Sequence, residues 1–374
     1  MELFKTYKLW PIEPVEGFGC KLWDKNGEQY LDLYGGHAVI SIGHCHPVYI
    51  TTITEQLMKL GFYSNAVANS LQTKLAEKIG KLSGYEDYSL FLCNSGAEAN
   101  ENAMKLASFQ TGKAKIMTMR KAFHGRTSGA VAATDNPSIQ APFNKTANIV
   151  FTTMGDLDEA ESNLATGEFA AVMIEGIQGV AGIIDPGTEY LRGLRSLCDK
   201  YGAKLILDEV QSGCGRTGRY YAHQHAGIKA DIVTMAKGIA NGFPVGAIAI
   251  SPDFEARYGM LGTTFGGSHL ACAAALAVAQ VIEEENLIPQ VEAKGNLVFE
   301  ALKNNKAVKE LRGKGLAIGI ELNPGYEGLR DQLLFEKHIF TGGAGKNVIR
   351  LLPPLTVTEE ELQQFIDAFN DLTK

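Results

Sequence analysis

Through the middle of the chain, short apolar runs take turns with amphipathic stretches of helical period, and this rhythm is what most limits the fold. The runs fall at residues 89–93, 115–119, 148–152, 170–175, 204–208, 231–235 and 245–250. A strand with one face in water alternates apolar and polar residues. A run without that alternation marks a strand covered on both faces. Between two of these runs, a stretch from about Pro186 carries Leu191, Leu194, Leu197, Cys198 and Tyr201 at spacings of three and four. Gly202 ends it. Such strand–helix alternation predicts an α/β fold around a mostly parallel central sheet.

The ends of the chain read differently. Asn26-Gly27 between apolar runs predicts a hairpin within residues 18–34. Helical character covers 271–304, and residues 313–322 and 348–352 read as strands. A final helix opens with Thr358 and Glu361 as a capping box and presents Leu362, Phe365, Ile366, Phe369 and Leu372 on one face. The expected organisation is a large domain over 46–255 and a smaller α+β domain. The latter is built from an N-terminal segment, 1–45, and from 256–374, which begins with a linking helix.

Composition removes several classes of function. The net charge is −7 and no basic run is present, so nothing favours nucleic acid or an anionic membrane surface. The longest apolar stretch, 271–282, falls short of the ~18–20 residues that cross a bilayer. The first eight residues carry no apolar core of a secretory signal. The six cysteines form no C-x-x-C pair, and His44, Cys45 and His46 are adjacent, a poor spacing for a tetrahedral metal site. A cytoplasmic protein with reduced thiols and no metal is expected.

Four clusters carry chemistry. Ser95, Gly96 and Ala97 follow a strand and open a helix, where backbone N–H groups and the helix dipole favour a phosphate. Phe123-His124-Gly125-Arg126 pairs an aromatic, able to stack on a flat ring, with an arginine able to grip a carboxylate. Asp208-Glu209-Val210-Gln211 sits at the carboxyl end of an apolar strand, where ligands of open α/β sheets bind. Lys237, between Ala236 and Gly238, follows another strand. Taken singly, three of the four read as ordinary features: a capped helix, a packed Phe beside a solvated Arg, a lysine reaching the surface. Together, on successive strand ends, they fit an aldehyde cofactor. Such a cofactor needs a lysine to hold it, an acid to keep a pyridine nitrogen protonated, a phosphate cup and an aromatic lid.

The full motif set resembles the class III, ornithine-type aminotransferases of the fold-type I pyridoxal 5′-phosphate (PLP) superfamily. Besides the four clusters it includes Gly43-His44-Cys45-His46-Pro47, Thr263-Thr264-Phe265-Gly266-Gly267 and Arg350-Leu351-Leu352-Pro353-Pro354. Within the family it is most similar to the N-acetylornithine aminotransferases of arginine biosynthesis. The resemblance implies a homodimer with shared active sites. It implies that Lys237 holds PLP, that Asp208 meets the pyridine nitrogen and that Gln211 faces the phenolic oxygen. Phe123 and Val210 would cover the two ring faces, and Ser95, Gly96 and Ala97 would cup the phosphate. Thr264 would reach the phosphate of the neighbouring subunit. Arg126 would take the α-carboxylate of the amino donor, and Arg350 that of 2-oxoglutarate.

Two departures from the family pattern stand out. Glu175-Gly176 occupies the place of Glu-Pro, and Gln178-Gly179-Val180 that of Gln-Gly-Glu. The second removes a glutamate that would neutralise Arg350, which points to an arginine open to carboxylates in both half-reactions or to a donor with an extra negative group. His37 either faces the donor site or packs within its loop. N-succinylornithine, free ornithine and 4-aminobutyrate remain alternative donors, and a mutase or decarboxylase on this fold remains a rival. A nicotinamide enzyme would need a dinucleotide loop that the sequence lacks.

Overall fold

The computed structural model describes the whole chain, Met1–Lys374. Seven strands form one sheet in the order Ser89–Cys93, Gly246–Ile250, Ile232–Met235, Lys204–Asp208, Phe169–Glu175, Lys115–Met119, Ile149–Thr152. Each lies within a residue of an expected run. Six run the same way, and Gly246–Ile250 is antiparallel to both its neighbours. An antiparallel partner needs no helical crossover, so the ten residues 236–245 suffice to return the chain from Met235. Phe169–Glu175, inside the sheet, is buried at every position.

The shared direction places Cys93, Met119, Glu175, Asp208 and Met235 at one edge of the sheet. Glu175 is in register with Asp208, and Asp208 with Thr234. The loops that follow these strands all open on that edge, as the topology of an open α/β sheet requires. Helix Gly96–Thr111 starts there and packs back across the sheet, burying Ala99, Ala103 and Leu106.

The two ends of the chain meet. Pro14–Phe18, Lys21–Asp24 and Gln29–Asp32 form an antiparallel meander, and Ile339–Phe340 adds to Gln29–Asp32 in parallel. Cys20, Leu31, Leu33 and Ile42 share a core with Val298, Ile320, Phe365 and Phe369. Helix His269–Glu284 belongs to both cores: Ala271, Cys272 and Ala275 pack with the large sheet, Val278, Val281 and Ile282 with the terminal one. The capping box of the last helix is formed, with Thr358 Oγ1 accepting from the Glu361 amide at 3.2 Å.

Two expectations need correction. The helical stretch 271–304 is two helices, His269–Glu284 and Leu287–Leu302, broken at Asn286, which adopts φ 49°. Asn tolerates the left-handed region, and apolar periodicity continued across the break hid it. The stretch read as one strand at 313–322 is the far half of a hairpin, Val308–Lys314 paired with Ala317–Leu322. Its turn uses Gly315 at φ 55°. Alternating charges over Val308–Lys314 had masked that strand.

Candidate active site

Asp208 is the end of a strand that enters the interior, and it is only 3% exposed. A carboxylate there is costly unless donors surround it. Its Oδ2 accepts from Asn100 Nδ2 at 2.8 Å and from His124 Nδ1 at 2.7 Å, and its Oδ1 accepts from the Val210 amide at 3.0 Å. His124 is fixed in turn by Thr118 Oγ1, 3.0 Å from Nε2. Asn100 reaches the acid because it lies one turn beyond Gly96, on the helix face turned to the sheet. Three donors thus hold Asp208 in one position.

Lys237 stands just past the strand Ile232–Met235, with φ 48°. A non-glycine residue in that region carries strain of roughly 1–3 kcal/mol, which the surroundings must hold. Asn241 supplies part of the hold. Its Oδ1 accepts from the amides of Ser41 at 2.7 Å and Ile42 at 3.0 Å, and its Nδ2 donates to Gly43 O at 2.9 Å. Ser41 Oγ donates to Gly238 O at 2.6 Å. Burial pushes the Lys237 amine below its usual range, and the Arg350 charge adds to this, while Asp208 and Glu175 pull the other way. The shift is toward the neutral, nucleophilic form of the amine.

Glu175 ends the neighbouring strand. Its Oε1 accepts from the Phe123 amide and its Oε2 from the Gly179 amide, each at 3.0 Å. Burial, together with the Asp208 charge, pushes its carboxyl up to about 7 against the pull of His124 and the two amides.

A cavity of about 140 Å³ collects these groups. Gly96, Ala97, Phe123, Asp208, Val210, Gln211 and Lys237 line it, with Asn100, His124, Gly125, Glu175, Ile177 and Val180. Seven of the eleven residues singled out from sequence therefore share one wall. Ser95 caps the helix beside it, accepting from the Glu98 amide at 3.2 Å. Arg126 is exposed, its guanidinium 6.0 Å from the centre of the Phe123 ring. Arg350 is buried and donates to Gly179 O at 2.9 Å. Thr264 is exposed and lies outside this cavity within the single chain. A wider hollow of about 880 Å³, lined by residues such as Thr217, His225 and Glu292, contains none of the eleven, so volume does not mark the chemistry here.

Sequence reading missed Asn100, Glu175 as a ligand of two amides, Ile177 and Tyr34. Asn100 was legible from helical spacing after Gly96. Glu175 was legible as a second strand passing from apolar to acidic. Tyr34 had no local signal.

The family model described as aminotransferase class-III matches residues 5–372. This chain belongs to the class-III aminotransferases. It is 41% identical to the acetylornithine aminotransferase of Bacillus cereus, over 97% of this chain and 95% of that protein. It is 37% identical to the one of Archaeoglobus fulgidus, over 98% and 96%. Among solved structures, the ornithine aminotransferase of Toxoplasma gondii ME49 superposes with a TM-score of 0.91 at 28% identity, covering 99% of this chain and 93% of that one. The acetylornithine aminotransferase of Elizabethkingia anophelis gives 0.86 at 29%, over 99% and 95%. A second Toxoplasma gondii ornithine aminotransferase structure is described as having PLP at its active site in partial occupancy.

Class-III aminotransferases work with PLP, and the cavity of this one suits it. A Cβ on Gly96 would come within 2.7 Å of Val210 Cγ1, and one on Gly125 within 2.7 Å of the Ala97 Cβ, so both glycines keep the wall close to the helix start. Gly96 and Ala97 begin that helix, where amides have no intrahelical acceptor. Gln211 Oε1 is buried without a hydrogen-bond partner. An amine, a fixed carboxyl group, free amides and an aromatic ring form the set of groups that a phosphorylated pyridine aldehyde requires.

Proposed function

We propose that this aminotransferase moves the δ-amino group of N-acetylornithine to 2-oxoglutarate, giving N-acetylglutamate semialdehyde and glutamate, a step of arginine biosynthesis. The observation that carries the reading is one cavity holding the buried Lys237 amine and the thrice-bonded Asp208, with Arg126 beside Phe123 and Arg350 beside Gly179. The relatives from Bacillus cereus and Archaeoglobus fulgidus support the donor.

Bound PLP supplies a cationic ring that accepts the electrons left when a substrate carbon loses its proton. Lys237 would hold the aldehyde, Asp208 would face the ring nitrogen and keep it protonated, and Gln211 would face the phenolic oxygen. Phe123 and Val210 would cover the ring faces, with Ser95, Gly96 and Ala97 around the phosphate. Lys237 would then be the group placed to hold and move the proton of the donor's δ-carbon, and burial lowers its basicity for that role. Arg126 binds the donor's α-carboxylate far from the reacting amine, and Arg350 binds a carboxylate of 2-oxoglutarate, each through a planar fork. Asn100 and His124 keep Asp208 oriented.

The assembly we infer is a homodimer with shared sites. Helix Pro47–Lys59 buries no residue in the single chain, Leu57, Met58 and Tyr63 are exposed, and the exposed ring of Phe62 lies 5.6 Å from that of Phe265, next to Thr264 in the chain. An apolar surface of that kind fits a second copy. Within each chain we place the division at 1–45, 46–255 and 256–374, supported by the core that both ends share. No helix is long and apolar enough to cross a membrane, and the six free thiols, five of them buried, suit the reducing cytoplasm.

The test is glutamate formation from 2-oxoglutarate with each of N-acetylornithine, N-succinylornithine, ornithine and 4-aminobutyrate. The highest kcat/KM is expected for N-acetylornithine. A faster rate with N-succinylornithine would transfer the assignment to that donor, and no glutamate from any of them would sink it.

A further inference from the structure

Arg350 is 4% exposed, yet no carboxylate lies within ion-pair distance of it. Its partners are neutral. One terminal nitrogen donates to Gly179 O at 2.9 Å, the other to the Tyr34 hydroxyl at 3.2 Å, and its Nε is buried without a partner. Burial pulls its basicity down, and Glu175 offsets this only from a distance, without a direct contact, so the guanidinium is left without a bonded anion, an expensive arrangement unless one arrives.

Tyr34 is built in with care. Its hydroxyl accepts from Arg350 and contacts His37 Nδ1 closely; in the imidazole tautomer that carries its proton on Nε2, the hydroxyl donates to Nδ1. The two rings lie 4.7 Å apart at 58°. A Cβ on Gly342 would fall 2.3 Å from the Tyr34 ring, so the ring is packed on that strand. Four consecutive residues, Gly35, Gly36, His37 and Ala38, have φ of 53°, 54°, 72° and 62°. For His37 and Ala38 this costs about 1–2 kcal/mol each. Asp32 Oδ1 fixes the entry, accepting from the amides of Tyr34 at 3.0 Å and Gly35 at 2.9 Å. Gln211 Nε2 fixes the exit, donating to His37 O at 3.2 Å. The loop is strained, and its strain sets a Tyr–His pair against a charged group of the site.

We propose that Tyr34 and His37 are positioning and specificity-determining residues for the dicarboxylic substrate, holding Arg350 through neutral contacts so that an incoming carboxylate displaces no anion. The inference rests on Arg350 being the receptor of the oxo acid, as the proposed function has it. A carboxylate partner would have to be broken from Arg350 at each turnover. A hydroxyl and a carbonyl orient the guanidinium and leave its charge to the substrate. His37 keeps the hydroxyl turned so that its oxygen faces Arg350.

The experiment is calorimetric titration of the PLP-loaded enzyme with glutarate, an inert dicarboxylate, beside the KM for N-acetylornithine. Removing one hydrogen bond to a charged group predicts that Tyr34→Phe binds glutarate about tenfold more weakly. The affinity for N-acetylornithine should change several-fold less. His37→Gln, whose amide oxygen can accept from Tyr34, should bind glutarate within about twofold of the wild type, and His37→Ala several-fold more weakly. Visible absorbance and melting temperature check that each variant is folded and loaded. Glutarate binding by Tyr34→Phe within twofold of the wild type overturns the proposal, and so does an equal loss toward both ligands. Glutarate does not react, so a wild type that binds it tightly but forms no glutamate would overturn the proposed activity and leave this inference standing.

Discussion

Replacing Glu175 by glutamine should change how stability depends on pH. In the folded cofactor-free chain, burial pushes this carboxyl from 4.5 up to about 7. A group that holds its proton more tightly when folded stabilises fully below its unfolded value, and that stability fades as pH rises to the folded one. The window is therefore about 4.5 to 7, with stability falling across it. Integrating between pH 5 and pH 8 gives a loss of roughly 2.5 kcal/mol from this one residue. Glu175→Gln has no such loss. It does misplace one N–H against either the Phe123 or the Gly179 amide, a fixed cost of about 1–3 kcal/mol that is the same at both pH values. Urea unfolding followed by circular dichroism, at one protein concentration, would measure both chains at pH 5 and pH 8. The variant should gain on the wild type by about 2.5 kcal/mol between the two. A gap that stays constant would refute the assignment of a raised carboxyl to Glu175.

Borohydride reduction of the loaded enzyme should fix the cofactor on the peptide containing Lys237, and a label on any other lysine would displace that residue from its role. Arg126→Ala should raise the KM for N-acetylornithine by about tenfold or more, the worth of a charge-assisted fork, with little change for a donor that lacks an α-carboxylate; equal effects on both would remove Arg126 from the donor site. Phe62→Asp should yield monomers by sedimentation if the exposed apolar surface is the dimer contact, and an unchanged mass would place the contact elsewhere. Asn241→Ala strips three hydrogen bonds from the segment 41–43, so the Ser41 and Ile42 amides should exchange at least tenfold faster than those of the central strand Phe169–Glu175.

The large sheet was legible because its strands are buried on both faces and therefore apolar without interruption. The direction of Gly246–Ile250 was not, since burial does not depend on direction. Site residues at strand ends were legible by their chemistry: Asp208 and Lys237 are charged groups directly beyond apolar runs. Helical spacing after Gly96 places Asn100 near the site and a motif contains His124, but their bonds to Asp208 were not legible, because nothing local in the sequence reports a partner 108 or 84 positions away. Thr264 illustrates a different limit. A residue proposed to act on another copy of the chain leaves no trace in one chain's geometry, so its place rests on the family resemblance alone.

Tyr34 and His37 show why half of such a site stays hidden from sequence. The sheet edge is rigid, and the groups on it are positioned by backbone hydrogen bonds that any apolar strand would make. Residues 34–43, beyond the N-terminal strands, have no such frame, and single contacts to the sheet's loops help to place them: Asn241 to residues 41–43, Ser41 to Gly238, Gln211 to His37. Strain gathers on both sides of this seam, at Lys237 with φ 48° and at His37 and Ala38 with 72° and 62°. Left-handed residues would relax in a free loop. They persist here because hydrogen bonds bracket them, those of Asn241 and Ser41 buried, and relaxation would leave the buried ones unsatisfied at a cost of about 1–3 kcal/mol apiece. The same contacts therefore tie the lysine that would carry the cofactor to the loop that orients Arg350. Loosening one side should disturb both, and a substitution at Asn241, which would touch neither substrate nor cofactor, should weaken glutarate binding as well as exchange protection.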